Sequence, residues 1–176
     1  AVPTAKQLVN DNPGDPQYAR TYWLVLRAAK NYKESVPAGI AYVAIDTETL
    51  GLNVHRDRLC VVQLSPGDGT ADVVQIPQGT TEAPNLRRLL ADPGVTKLFH
   101  FARFDIAVLH HALGVMAAPV YCTKIASKLV RTYTDRHGLK DLVRELLGVD
   151  MSKQQQSSDW GADTLTEAQL AYAASD

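Results

Sequence analysis

The stretch "AIDTETLGL", Ala44 to Leu52, ends an apolar run with two carboxylates and follows them at once with a glycine. Side chains two positions apart on a strand lie on the same face, so Asp46 and Glu48 are expected to point at one spot near the strand's end. Like charges about 4 Å apart repel by about 4 kcal/mol at an effective dielectric of about 20. The pair therefore needs a compensating group, unless it is simply an N-cap or a solvated strand end, which is the common role of an isolated Asp-x-Glu.

Strands and helices alternate around this stretch. After "IAYVAIDTE", the runs "RLCVVQLS" and "ADVVQIP" predict two strands joined at the turn "PGDGT", and "VTKLFHF" predicts another. Helical spacing is seen in "APNLRRLLAD" and in "FDIAVLHHALG", with Gly114 just past its end. From Cys122 onward the pattern predicts only helices: "CTKIASKLVRTY", "LKDLVRELLG" and "TLTEAQLAYAASD". This order predicts an α/β layer fold.

The N-terminal part of the chain follows a different pattern. Apolar residues recur at helical spacing from Tyr18 to Ser35, after a plausible helix start at Asp15-Pro16. This spacing predicts one amphipathic helix. Residues 1–39 are therefore assigned to an N-terminal helical extension of unassigned role, either a core-packing addition or a partner-binding element, and residues 40–176 to the main domain.

Composition limits the classes of function. The chain has 176 residues, 45% of them hydrophobic, which predicts one globular unit. Eighteen basic and nineteen acidic residues leave a net charge of -1, so phosphate binding must be local or assisted by a cation. Isolated Cys60 and Cys122 suit a reducing compartment. No apolar stretch approaches the roughly 20 residues that span a bilayer, and the opening segment lacks a signal peptide's apolar core, so a cytoplasmic protein is expected.

Two further acids lie at positions suited to metal binding. Asp105 follows an apolar run at the head of a helix, where it could also complement the helix dipole. Tyr172 and Asp176 are four residues apart and thus share one helix face. Together with Asp46 and Glu48, the acids Asp105 and Asp176 sum to -4, which two divalent cations would balance. Carboxylate oxygens suit hard cations such as Mg²⁺ or Mn²⁺, whereas zinc favours His and Cys.

Three motifs resemble those of a known enzyme family. "IDTETLGL", "HFARFD" and "YAASD", in this order, are similar to the exonuclease motifs of the tyrosine-bearing branch of the DEDD superfamily. The stretch from Gly138 to Asp176 resembles the ribonuclease D type, and the whole resemblance covers Ala41 to Asp176. It implies a ribonuclease H-like fold with a mixed central sheet flanked by helices. It also implies a 3′-5′ exonuclease domain over residues 40–176 that removes nucleotides with two metal ions.

The resemblance assigns roles by position. Asp46, Glu48, Asp105 and Asp176 become the metal carboxylates, and Tyr172 becomes the residue that orients the attacking water. A phenol has a reference pKa of about 10, so we expect it to form a hydrogen bond rather than to abstract a proton. The family's last helix continues past the aspartate that matches Asp176, so the C-terminal helix is expected to be shortened here.

Substrate contacts are also implied by the resemblance. The residues expected at the 3′-terminal nucleotide are Thr47, Leu50, His100 and Phe101. Leu50 either wedges against the terminal base or belongs to the core, and His100 either contacts the nucleotide or is a buried structural histidine. Phe101 is expected to stack on a base. A basic stripe either tracks a phosphate backbone or forms a solvated helix face; its members are Lys124, Lys128, Arg131 and Arg136.

Two functions remain open at this point. The first is a metal-dependent exonuclease that acts on RNA 3′ ends, with single-stranded DNA as an alternative substrate because DNA proofreading domains use the same five side chains. The second is a nucleic-acid-binding or scaffolding module that keeps the fold with little or no turnover. Oligomeric state is not specified by the sequence.

Overall fold

The computed structural model describes residues 24–25, 42–80, 82–151 and 154–175 of the chain. Within these residues a six-stranded sheet has the order β1-β4-β3-β2-β5-β6. The strands are β1 Leu24–Val25, β2 Tyr42–Thr49, β3 Leu59–Ser65, β4 Asp72–Gln75, β5 Thr96–Phe99 and β6 Val120–Cys122. The described helices are α1 Pro84–Ala91, α2 Arg103–Leu113, α3 Thr123–Val130, α4 Leu139–Leu147 and α5 Glu167–Ser175.

The sheet is mixed, as the family resemblance implies. Strands β2, β3 and β4 form an antiparallel meander, whereas β5 and β6 run parallel to β2 and β1 runs parallel to β4. On the shared ladder Asp46 lies opposite Gln63 and Glu48 opposite Val61, and the register shifts between Glu48 and Thr49. The acidic pair therefore lies at the end of a central strand.

Apolar clusters cover both faces of the sheet. Ile45 and Val62 pack on one face with residues of α1 and α2 such as Leu109, and all three are buried. On the other face Val61 and Val73 contribute to a cluster with side chains of the C-terminal segment, including Trp160, Leu165 and Ala173. Because side chains alternate along a strand, Asp46 and Glu48 lie on the face that α5 covers. Each fully buried aliphatic side chain stabilises the fold by about 1.5–3 kcal/mol.

The predicted helix at Tyr18 to Ser35 is wrong for the two residues of it that the structure describes. Leu24–Val25 form strand β1, with Leu24 opposite Asp72 and Val25 opposite Val73. An apolar segment at the edge of β4 satisfies main-chain donors and acceptors that would otherwise be unpaired, and such pairing overrides a weak local helix preference. The rest of residues 1–39 lies outside the described residues. Strand β1 therefore belongs to the same sheet as the main domain.

Other element boundaries differ slightly from expectation. Strand β6 was not predicted, and the helix expected from Cys122 begins at Thr123. Gly114 ends α2 in the left-handed conformation with φ 64°, as its position predicts. Across the described ranges, every helix is too short or too polar to pass through a bilayer.

Asp72 on β4 makes the stability of the fold depend on pH. Burial, with a smaller contribution from Asp68, raises the pKa of this carboxyl from its ordinary value of 3.8 to about 6. The folded state thus binds the proton more tightly than the unfolded chain, so stability falls as pH rises between these two values. We expect Asp72→Asn to raise the free energy of unfolding by about 1–2 kcal/mol at pH 8. The full difference between the two pKa values corresponds to ~3 kcal/mol, and the expected effect is smaller because solvent still reaches the carboxyl group.

Urea unfolding at pH 8 and pH 4 checks this expectation. The gain from Asp72→Asn should nearly vanish at pH 4, where Asp72 in the folded protein is already protonated. Asp135→Asn, on an exposed residue between α3 and α4, is the matched control and should change stability less. An equal gain at both pH values would mean that the ionisation of Asp72 is not the cause.

Candidate active site

The end of β2 opens into a cavity of about 780 Å³. Its walls come from β2 and the loop after it, the beginning of α4, the segment before Trp160, and α5. Six residues predicted for the site line this cavity: Asp46, Thr47, Glu48, Leu50, His100 and Tyr172. The fold therefore brings together residues that are up to 126 positions apart in the sequence.

Asp46 and Glu48 are half-buried at this cavity. They belong to the face of β2 that is covered by α5, the helix that carries Tyr172. Two carboxylates and a phenol therefore line the same space. The cavity thus combines oxygen ligands with a hydroxyl that can orient a water molecule.

Asp105 is held on the opposite side of β2. It lies in the first turn of α2 with 4% of its surface exposed, and the Thr47 hydroxyl donates a hydrogen bond of 2.7 Å to its Oδ1. Burial raises the pKa of Asp105 to about 6, against the lowering effect of the Thr47 hydrogen bond. Asp105 itself does not line the cavity, whereas Thr47 does. The hydrogen bond to Thr47 therefore ties Asp105 to the strand that carries the acidic pair.

The donor chemistry of the cavity fits a hard divalent cation. Asp46 and Glu48 provide carboxylate oxygens, the ligands that Mg²⁺ and Mn²⁺ prefer. Within residues 24–25, 42–80, 82–151 and 154–175, no group of three or more His, Cys, Asp or Glu side chains is arranged to hold an ion. Asp176 lies outside those ranges. The four-carboxylate ligand set thus stays a prediction.

Tyr172 contacts a tryptophan that sequence reasoning did not single out. Trp160 is 2% exposed, and its ring centroid lies 6.0 Å from that of Tyr172 at an interplanar angle of 42°. Both rings line the cavity. The available signal was an aromatic residue in an otherwise polar loop, "QSSDWG", inside the stretch that resembles ribonuclease D. Other polar lining residues that were missed are Lys140, Asp141, Gln156, Ser157 and Ser158.

Leu50 stands at the rim of the cavity and is not a core residue. Its side chain is 53% exposed, and a Cβ at Gly161 would come within 2.8 Å of its Cδ2. The loop that carries it is tight, since a Cβ at Gly51 would overlap the Asp57 carboxylate. The structure thus excludes the core alternative for Leu50, and the contact with a terminal base stays a prediction.

His100 has a hydrogen-bond partner at one ring nitrogen and none among the described residues at the other. Its Nδ1 lies 2.9 Å from Thr123 Oγ1, while Nε2 is buried and has no hydrogen-bond partner in the part of the chain that the structure describes. Burial and the nearby Lys124 lower the pKa of His100, although the main chain of His137 opposes them. The ring is therefore neutral at pH 7, and both alternatives proposed for it find support in its surroundings.

Phe101 lies outside the cavity. It is 43% exposed and has a φ of 70°, a left-handed conformation that costs about 1 kcal/mol or more for an aromatic residue. Lys124 Nζ lies 4.4 Å from its ring centroid and Arg103 Cζ 5.5 Å. The ring is available for stacking next to two cations, and base stacking stays a prediction.

Arg131 does not belong to a solvated basic stripe. It is 5% exposed, forms a salt bridge with Glu145, and donates to Ser127 Oγ at 2.9 Å and to the Arg136 carbonyl at 2.7 Å. A guanidinium with these partners cannot track a phosphate backbone. Instead it fixes the segment that leads into α4. Gly138, just before α4, and Lys140, in its first turn, line the cavity.

Comparisons with known proteins show the family to which this chain belongs. A family model described as a 3′-5′ exonuclease matches residues 22–176. Ribonuclease D of Gluconacetobacter diazotrophicus is 38% identical over 135 residues, which are 77% of this chain and 34% of the relative. The chain thus spans about a third of the length of the curated relatives it matches.

Solved structures show the same fold. Brucella melitensis NrnC is 63% identical, with a TM-score of 0.79 over 89% of this chain and 72% of that one. Other structures of that protein are described as having Mg²⁺ bound and as bound to pGG. Escherichia coli RNase D, described as an exoribonuclease involved in structured RNA processing, is 30% identical with a TM-score of 0.73 over 88% of this chain and 40% of that one. The expected ribonuclease H-like fold is confirmed, and the chain belongs to the 3′-5′ exonuclease family.

Proposed function

We propose that this chain hydrolyses RNA from the 3′ end and releases one mononucleotide at a time, with the help of two Mg²⁺ or Mn²⁺ ions. The observation that carries the proposal is the meeting of Asp46, Glu48 and Tyr172 in one cavity at the end of β2. Family membership supports the reaction class. The pGG complex of the Brucella relative supports short RNA as a substrate, and a cytoplasmic location suits such a role.

Each predicted residue has a part in the proposed reaction. Asp46 and Glu48, with Asp105 and Asp176, would hold the cations, which when bound supply Lewis acidity toward the phosphate and the water. The Tyr172 hydroxyl holds the attacking water by a hydrogen bond. Water attacks the phosphorus, the bond to the 3′ oxygen of the preceding nucleotide breaks, and that oxygen takes up a proton. The products are a nucleoside 5′-monophosphate and a strand shortened by one residue.

The residues around the acids would position the terminal nucleotide. Thr47 keeps Asp105 in place through its hydroxyl, so its contact with substrate would come from the main chain. Leu50 at the rim would separate the terminal base from its neighbour. His100, which lines the cavity, would contact the nucleotide there, and Phe101 would stack on a base outside the cavity.

A product ladder tests the proposal. RNA and single-stranded DNA with 5′ labels are incubated with Mg²⁺, Mn²⁺ or EDTA, and pGG is incubated in parallel. We expect labelled RNA to shorten by single nucleotides and pGG to yield mononucleotides, with both reactions abolished by EDTA because the carboxylates alone repel the phosphate. Cleavage that continues in the chelator, or products that arise from internal cuts, would contradict the proposal.

A further inference from the structure

One lysine lines the cavity of the candidate active site. Among the described residues of the cavity wall, Lys140 is the one lysine or arginine, whereas Asp46, Glu48 and Asp141 are acids. Lys140 is exposed and forms no salt bridge within the part of the chain that the structure describes. A lysine carries its ammonium group, with three N–H donors, on a flexible four-carbon stem. The charge of Lys140 is therefore available to an anion in the cavity.

Asp141, the next residue in the chain, is directed toward the beginning of its own helix. A Cβ at Gly138 would lie 3.1 Å from Asp141 Oδ2. Gly138 comes directly before α4, and a carboxylate in the first turn complements the positive end of the helix dipole. The carboxylate of Asp141 therefore stabilises α4 and leaves the ammonium group of Lys140 to other partners.

The backbone that leads to Lys140 is held in place by buried side chains. Arg131, which is 5% exposed, donates to the Arg136 carbonyl at 2.7 Å. Ser127 is 4% exposed, and its Oγ lies 2.8 Å from Nδ1 of His137. These contacts fix the segment just before α4. The first turn of α4 thus keeps Lys140 at the cavity, while the lysine stem stays free to turn toward a ligand.

The cavity has room for more than one nucleotide. Its volume of about 780 Å³ lies in the upper part of the ~300–1,000 Å³ range of pockets that enclose drug-sized ligands. The proposed reaction places the phosphate that is cleaved at the cations held by Asp46 and Glu48. A strand that fills the rest of the cavity brings a second phosphate, on the 5′ side of the penultimate nucleotide. This second phosphate needs a positive charge of its own.

We propose that Lys140 binds the phosphate on the 5′ side of the penultimate nucleotide and thereby favours substrates that carry a phosphate there. In a dinucleotide this group is the 5′-terminal phosphate. The inference rests on the proposed function, because it places the last two nucleotides in the same cavity. The contact lies away from the bond that breaks, so it is equally strong before and during the reaction. Its loss should raise KM and leave kcat nearly unchanged.

A pair of substrates separates this phosphate from the rest of the dinucleotide. The parent protein and Lys140→Gln are compared on pGG and on GpG, which lacks the 5′ phosphate. We expect KM for pGG to rise roughly 10-fold in Lys140→Gln, the effect of one hydrogen bond to a charged group at an exposed site, and KM for GpG to stay within about twofold. An unchanged KM for pGG would overturn the inference. An equal rise for both substrates would also overturn it, because Lys140 would then act at the cleaved phosphate.

Two further variants control for charge. Lys140→Arg keeps the charge, so the preference for pGG over GpG should remain. Arg144→Gln removes a cation one turn further along α4 that does not line the cavity, and it should leave KM for both substrates unchanged. All three variants change exposed side chains and should keep the thermal midpoint of the parent. A loss for pGG in Arg144→Gln as large as in Lys140→Gln would mean that general charge, and not a contact, is the cause.

A binding measurement does not depend on turnover. It uses a pGG analogue in which an uncharged methylphosphonate, which resists hydrolysis, joins the two nucleosides, so that the 5′ phosphate is the one charged group. In calorimetry with Mg²⁺ we expect Kd to be roughly 10-fold higher for Lys140→Gln than for the parent. Equal Kd values, with pGG still degraded by the parent, overturn this inference alone. A parent protein that neither binds the analogue nor degrades pGG overturns the proposed function as well.

Discussion

Asp46→Ala is expected to reduce kcat on RNA by at least about 10³-fold and to weaken the binding of Mg²⁺ and Mn²⁺. Metal ions contribute several kcal/mol to transition-state stabilisation, and each 1.36 kcal/mol is tenfold in rate. Asp46 lines the cavity on the face of β2 shared with Glu48. Its removal takes away a carboxylate that the proposed cations need, while β2 remains paired on both sides. Steady-state kinetics and Mn²⁺ titration calorimetry measure the two effects.

A more conservative change tests charge separately from shape. Asp46→Asn keeps the size of the side chain and removes its charge, so it should show a similar loss of rate and metal affinity. In EDTA its free energy of unfolding should be unchanged or higher, because a like charge near Glu48 has been removed. Glu82→Gln changes an exposed acid outside the cavity and serves as the matched control. Full activity or unchanged Mn²⁺ affinity in Asp46→Ala would show that the metal assignment is wrong.

The parts of the fold that follow a short-range period could be predicted. The acidic pair lies on one face of β2 because strand residues alternate, and the helix with Asp105 in its first turn ends at Gly114 because a glycine there can take a positive φ. Strand β1 could not be predicted in this way. Its two residues are fixed by pairing with the distant β4, and their apolar spacing also fits a helix.

The burial of two basic side chains could not be predicted from the sequence either. Lys97 lies in a strand and is fully buried. Its Nζ donates to the carbonyls of Asp92 and Ala118, at 2.5 and 2.7 Å, which compensates for the loss of water contacts. Arg131 is buried by the same kind of main-chain contact and by Glu145. No sequence pattern identifies the groups that accept hydrogen bonds from Lys97 and Arg131. The hydrogen bond from Thr47 to Asp105 was likewise not predicted, because it joins residues 58 positions apart.

Tyr172→Phe is expected to lower kcat by about 10²-fold, comparable to the loss of one positioned hydrogen-bonding or proton-transferring group. The phenol lines the cavity beside the acids, and its ring packs against Trp160. Phenylalanine keeps the ring and removes only the hydroxyl, so the fold and the cation affinity should stay near the parent values. Turnover, Mn²⁺ affinity and thermal midpoint are to be measured on one preparation.

Turnover, Mn²⁺ affinity and thermal midpoint together distinguish three roles for Tyr172: a residue that orients water, a metal ligand and a core residue. A metal ligand would lose Mn²⁺ affinity together with rate, and a core residue would lose stability while the rate per folded molecule stayed the same. Tyr42→Phe removes a hydroxyl from an exposed tyrosine at the other end of β2 and should leave all three quantities unchanged. A large drop in thermal midpoint without a change in rate would therefore refute the catalytic role.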